Sequence, residues 1–226
     1  MKRIVVAIDG PAGSGKSTVG WWLARRLGYH YLDTGAMYRA AAWKLHRSGI
    51  PTADGTGLSE AMNAMEIDLC DEPTGLRVLV DGEDVTAEIR SPRMAMLASQ
   101  YSALPAVRAR LTQLQRAWKG AEGVVAEGRD TTTVVFPDAE LKVFLDATPE
   151  ERARRRLAEI EARGTGVDGP TVRQEIEDRD RADATRALAP LARASGALYI
   201  DTTGLPVEDV VERLAKEVER LCSTGS

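Results

Sequence analysis

The run Gly10-Pro11-Ala12-Gly13-Ser14-Gly15-Lys16-Ser17-Thr18 follows directly on the apolar segment Ile4 to Asp9 and constrains this chain more than any other stretch does. It fits G-x-x-x-x-G-K-[ST], a phosphate-binding loop between a buried strand and a helix. Glycines let the backbone turn tightly and aim successive N–H groups inward, and the helix opening near Lys16 adds the positive end of its dipole. Such a nest takes a polyphosphate. Lys16 then reaches the β- and γ-phosphates of a nucleotide, and the Ser17 hydroxyl ligates the Mg²⁺ that bridges them.

A chain of 226 residues accommodates one α/β domain with insertions. Its formal net charge of −4 leaves no basic field to hold a nucleic-acid polymer, so the anions it binds are expected to be small and locally clamped. Cys70 and Cys222 lie far apart, and with His30 and His46 as the histidines there is neither C-x₂-C nor H-E-x-x-H spacing for a metal. Both thiols read as reduced and structural. No apolar run approaches the ~20 residues that cross a bilayer, and the expectation is a soluble cytoplasmic protein, monomeric, with no membrane partner.

Taken in order, the chain reads β-loop-α-β: a helix from Lys16 to Leu27 ended by Gly28, then a strand at Tyr29 to Leu32. That order predicts a parallel sheet with ligands at the carboxyl ends of its strands. Asp33 to Arg39 sits at that edge and opens a helix running to Arg47, which puts Thr34, Tyr38 and Arg39 near a helix start. Trp21, Trp22, Met37 and Trp43 read as packing on helix faces. Glu66 to Leu69 and Leu76 to Val80 read as an antiparallel excursion, followed by helices from Ser91-Pro92 and from Pro105. Ser99 and Arg108 fall on those two helices, as surface residues by spacing alone. Gly123 to Ala126 is a buried strand ending in Glu127-Gly128-Arg129-Asp130, where Glu127 is placed to hold Mg²⁺ through water. Leu141 to Leu145 and Ala197 to Ile200 complete five core strands. Thr148-Pro149-Glu150-Glu151 is a capping box for a helix carrying Arg152, Arg154, Arg155 and Arg156. A turn at Gly164 to Pro170 and a second charged helix capped at Thr171 then make a mobile lid, whose far limb carries Arg179, Asp183 and Arg186. The expected boundaries are a core of about 1–35, 105–148 and 187–226, an insertion of about 36–104 and a lid of about 149–186.

The phosphate loop, Asp33-Thr34-Gly35-Ala36-Met37-Tyr38-Arg39, Gly82-Glu83-Asp84-Val85, Glu127-Gly128-Arg129-Asp130, Thr133 to Asp138 and Arg186-Ala187-Leu188-Ala189-Pro190-Leu191 stand in the order and spacing of bacterial cytidylate kinases. The chain resembles that family over nearly its whole length. The resemblance implies a nucleoside monophosphate kinase core of five parallel strands with helices on both faces, an enlarged monophosphate-binding insertion and a helical lid. It implies transfer of the γ-phosphoryl of ATP to CMP or dCMP with Mg²⁺. Carried over residue by residue, it puts Arg39, Arg129 and Arg186 on the acceptor phosphate, Arg179 and Asp183 on the sugar, and Ser99, Arg108 and Asp130 on the base, with Thr34 and Tyr38 beside the nucleotide. Its lid arginines go to the phosphates of ATP; of Arg152, Arg155 and Arg156 we take the last two.

The chemistry is coherent. A monophosphate with a second pKa near ~6 is already largely anionic at neutral pH, so no general base is needed. The protein must instead supply positive charge and fixed donors for in-line transfer between two polyanions. Cytosine offers an amino donor beside acceptors at N3 and O2, an edge that a carboxylate or hydroxyl paired with arginine complements. One departure is Thr132, where the family commonly has glycine; a β-branched residue there predicts a different local turn and a different reach for Asp130. Another small-acceptor P-loop kinase and a nucleotide-dependent switch module are the competing readings.

Overall fold

A computed structural model describes residues 3–53, 55–73, 75–119, 122–162 and 169–223. The strands are β1 (Val5–Asp9), β2 (His30–Asp33), β3 (Ile67–Glu72), β4 (Gly75–Val80), β5 (Glu83–Asp84), β6 (Val124–Gly128), β7 (Leu141–Asp146) and β8 (Leu198–Asp201). The helices are α1 (Lys16–Leu27), α2 (Thr34–Arg47), α3 (Thr56–Ala64), α4 (Pro92–Tyr101), α5 (Pro105–Arg116), α6 (Pro149–Glu161), α7 (Gly169–Thr185) and α8 (Val207–Ser223). The chain divides into two compact units, Met1–Tyr31 with Ala121–Ser226, and Leu32–Gly120.

The first unit is built on a five-stranded sheet in the order β2-β6-β1-β7-β8, with β1 parallel to β6 and β7, and β7 parallel to β8. Every residue of β1 and β6 is buried, the pattern of strands covered on both faces. Helix α1 packs on β6 and on α8, which turns Val210, Leu214, Ala215, Val218 and Cys222 inward. Gly28 ends α1 in the left-handed conformation, its N–H reaching the Ala24 and Arg25 carbonyls. Trp22 corrects the helix-packing expectation: it is 51% exposed, edge-on to Trp21 at 4.7 Å, and Arg25 covers the other ring.

Helices α6 and α7 pack on each other through Ile160, Val172 and Ile176, with Ala153 and Leu157 beside them. Thr148 caps α6 as expected, its hydroxyl accepting the Glu151 N–H. The cap expected at Thr171 is corrected, because α7 already begins at Gly169 and Pro170 occupies its first turn. Residues 163–168, with most of the expected Gly-rich turn, lie outside the described residues.

In the second unit β3, β4 and β5 form an antiparallel sheet. Asp81 and Gly82, both at positive φ, make the two-residue turn between β4 and β5, a conformation that Asp-Gly pairs favour. Helix α2 packs on α4, and α3 on α5. Helix α5 thus goes with this unit. Cys70 and Cys222 are free thiols. No described helix is long and apolar enough to cross a membrane.

Candidate active site

The phosphate loop leaves β1 at Gly10, whose φ of 155° and closeness to β7 exclude any side chain: a Cβ would stand 1.9 Å from the Leu145 carbonyl oxygen. Gly13 lies against Arg152, and Gly15 opens α1 from the left-handed region. Lys16 is buried and folded back, donating to the Pro11 carbonyl at 2.6 Å and lying 3.3 Å from Ser14 Oγ. Burial, reinforced by the charges of Arg129 and Arg179, lowers its amine to about 7, against the opposing pull of Glu127 and Asp9. The Ser17 hydroxyl donates to Glu127 Oε1 at 2.7 Å, and Tyr31 OH lies 3.4 Å from the same oxygen. Thr18 is exposed on the first turn of α1. A hydroxyl and a buried carboxylate side by side are hard oxygen donors, which suits Mg²⁺ completed by phosphate oxygens and water.

Arg129, Asp183 and Arg186 form a second cluster in this unit. Arg129 Nε donates to Asp183 Oδ2 at 2.8 Å; Arg186 places Nη1 3.5 Å from Asp183 Oδ1 and Nη2 3.7 Å from Asp130 Oδ1. Burial works against the charge on Arg129, but Asp183 and Glu127 outweigh it and hold the guanidinium above the ordinary arginine value. The turn after α7 clasps Arg186: its Nε donates to the Ala189 carbonyl at 2.6 Å, and the Leu191 N–H reaches the Asp183 carbonyl at 2.8 Å. Ala189 has φ 50°, a state that costs a non-glycine residue about 1–2 kcal/mol.

The arginines of α6 have separate fates. Arg152 donates to the Ala147 and Ala12 carbonyls, both at 3.1 Å, and pairs with Asp180, whose other oxygen accepts the Ala12 N–H at 3.1 Å. Arg155 grips Thr202, donating to its hydroxyl at 3.0 Å and its carbonyl at 2.7 Å, while the Thr202 hydroxyl is 3.1 Å from the Ser14 carbonyl. Arg154 and Arg155 pull Glu151 down to about 2. Arg156 instead pairs with Glu159 on its own helix at 2.9 Å.

The expected different turn at Thr132 is not a left-handed one, since Asp81 and Ala189 are the described non-glycine residues at positive φ. Residues 131–135 form a short π-helix, and Thr131 and Thr132 turn their amides and hydroxyls onto Asp9. Burial pushes the Asp9 carboxyl above its ordinary range in spite of these donors.

In the second unit Asp33 caps α2, accepting the Ala36 N–H at 2.7 Å, and holds Arg39 through its other oxygen at 3.1 Å. Thr34 is buried on the same first turn. Arg108 corrects the surface expectation: it is 6% exposed, lies 5.6 Å over the Tyr38 ring and donates to the Ser102 carbonyl at 3.1 Å. The Ser102 hydroxyl donates to the Ser99 carbonyl at 2.8 Å, so the elbow between α4 and α5 links Ser99 to Arg108. Ser99 itself is half-buried.

Sequence reasoning passes over Asp9, Tyr31, Thr131, Asp180 and Thr202. Each acts through a partner far along the chain, and only Asp9, as the polar end of an apolar strand beside the loop, carries a local signal.

The family model described as cytidylate kinase matches residues 6–220. A cytidylate kinase of Pelotomaculum thermopropionicum is 53% identical over 94% of this chain and 95% of its own length. One from Symbiobacterium thermophilum is 47% identical over 97% of each. A solved structure of an uncharacterized protein from Eubacterium ventriosum shares the fold with a TM-score of 0.54 at 13% identity, covering 96% of this chain and 99% of that one. With the phosphate loop and its surrounding arginines assembled as described, the chain belongs to the cytidylate kinase family.

Proposed function

We propose that this chain moves the γ-phosphoryl of ATP in line to CMP or dCMP, giving CDP or dCDP and ADP, with Mg²⁺ and an arginine clamp supplying the catalysis. Its family membership supports the reaction. One observation carries the clamp: Arg129 and Arg186, from separate parts of the sequence, converge on Asp183 at 2.8 and 3.5 Å in the unit that holds the phosphate loop. Guanidinium groups gathered in this way suit the oxygens of a phosphate, and nucleotide phosphates are the anions a phosphate loop takes.

In this reading Gly10 to Thr18 cradle ATP, and Lys16 meets its β- and γ-phosphates. Ser17 holds Mg²⁺ directly and Glu127 through water; the cation, when bound, screens the phosphate charges. Arg155 is the lid arginine for ATP, its position at Thr202 beside the Ser14 carbonyl favouring it over Arg156. Arg129 and Arg186 bind the acceptor phosphate, Arg179 and Asp183 the sugar and Asp130 the base. From the second unit, Arg39 serves the phosphate, Ser99 and Arg108 the cytosine, and Thr34 and Tyr38 line the nucleotide. The working form is a cytoplasmic monomer; free Cys70 and Cys222 suit a reducing compartment.

Initial rates with Mg²⁺ and ATP over a panel of CMP, dCMP, UMP, AMP, shikimate and gluconate test the substrate. CMP and dCMP are expected to exceed every other acceptor by about tenfold or more in kcat/KM, a gap hydrogen-bond readout of a base readily supplies. A preference for AMP or a sugar acid would overturn the assignment, and ATP hydrolysis indifferent to all acceptors would favour a switch module.

A further inference from the structure

Helix starts leave amide groups without intrahelical partners, and the residue just before the helix commonly supplies the cap. At the π-helix of residues 131–135 that residue is Asp130, yet its side chain makes no capping bond. Asp9 caps the turn instead, from the end of β1. Its Oδ1 accepts the Thr131 N–H at 2.8 Å and hydroxyl at 2.6 Å, and its Oδ2 accepts the Thr132 N–H at 2.7 Å and hydroxyl at 2.5 Å. All three residues are buried. Inside the turn the Asp130 carbonyl takes the Val134 and Val135 N–H groups at 2.9 and 3.1 Å, so the backbone of Asp130 is fixed by the helix that Asp9 caps. The Asp130 carboxylate faces Arg186, and Arg129, one residue back, faces Asp183. Asp9 is also joined by a peptide bond to Gly10, the first residue of the phosphate loop.

We propose that Asp9, with Thr131 and Thr132, is a positioning latch: by capping the 131–135 turn from the strand that feeds the phosphate loop, it keeps Asp130 out of the cap and sets Arg129 and Asp130 for the acceptor nucleotide. Charged caps of this kind are strong because a buried carboxylate accepts four donors at once. The latch rests on the proposed acceptor roles of Arg129 and Asp130.

The test is the double variant Thr131→Val/Thr132→Val, which keeps shape and β-branching but removes both hydroxyls without touching the phosphate loop. The KM for CMP should rise about fivefold or more while the KM for ATP stays within about twofold, the loss expected for hydroxyl bonds in a network. The Thr131→Ser/Thr132→Ser variant should restore the CMP value. Amide hydrogen exchange over residues 128–136 should speed up in the valine variant and not in the serine one. Equal KM changes for both substrates, or valine and serine variants that behave alike, would overturn the latch, as would a lowered melting temperature with neither KM changed. If the valine double does not fold, Thr132→Val alone carries the same comparison. The measurement uses whichever acceptor the wild type phosphorylates best, so a wild type that prefers another monophosphate overturns the substrate reading, while the valine and serine variants still decide the latch.

Discussion

The strands around the phosphate loop and the helical arm of α6 and α7 are held in different ways. Strands β1 and β6 bury every residue they contain, whereas α6 buries Arg152 and Ile160, and α7 buries Val172, Ile176 and Asp183. The three aliphatics hold the two helices to each other, each contributing about 1.5–3 kcal/mol. The two charged residues make polar contacts instead, Arg152 to the Ala12 carbonyl and Asp183 to Arg129. What ties the arm to the loop is therefore polar: Arg152 and Asp180 on the Ala12 peptide, and Arg155 on Thr202. Polar contacts of this sort can be exchanged for contacts to a phosphate at little net cost, while a buried apolar seam cannot. A built loop and an exchangeable arm fit the division of labour that the proposed lid role of α6 and α7 requires.

The sharpest way to break this contrast is at the loop. Lys16→Ala should lower kcat by about 10³-fold, since it removes the cation from the transferring phosphoryl, with a far-UV circular dichroism spectrum like that of the wild type. Activity close to wild type would take the loop out of the chemistry. In the arm, Arg155→Ala should lower kcat/KM for ATP by about 10²-fold, but Arg156→Ala by less than about twofold. Equal losses would mean that the separation of these side chains along α6 has no bearing on the arm's work.

That pair also marks what the sequence can convey. The loop, the cap at Thr148 and the places of the core strands along the chain are legible because each is local: a short pattern dictates a short piece of backbone. Choosing among the arginines of α6 is not. On a helical projection Arg155 and Arg156 lie about 60° and 40° to either side of Arg152, so spacing alone favours neither. The choice is made by Thr202, after β8, which meets Arg155, and by Glu159, which takes Arg156. Arg108 reads as exposed because its cover, the Tyr38 ring, comes from a helix 70 residues earlier in the 226-residue chain. Thr132 stands out in the sequence only as a break in a pattern; its use as a donor to Asp9 spans the whole insertion, and no local signal encodes it. Thr171 misleads for the opposite reason, a good local cap overridden by Pro170 one residue earlier.

The finest test concerns protons. Burial, with Arg129 and Arg179, lowers Lys16 to about 7, with Glu127 and Asp9 opposing them. At pH 8 the amine is therefore mostly neutral, and only below about 7 does it carry its charge. A polyphosphate reverses the balance, because a tetravalent neighbour favours the ammonium form more than two arginines disfavour it. Binding ATP at pH 8 should accordingly take up protons, approaching one per site at most, and phosphate itself, with a second pKa near ~6, neither releases nor takes one there. Calorimetric titrations in buffers of differing ionisation enthalpy measure this number. The uptake should shrink as the pH falls through about 7 and vanish in Lys16→Ala, in the loop and nowhere in the arm, whose guanidinium groups stay charged throughout. A heat of binding that is independent of buffer at pH 8 would mean the crowding of cations around Lys16 is relieved by some other route, and the electrostatic half of the contrast between loop and arm would go with it.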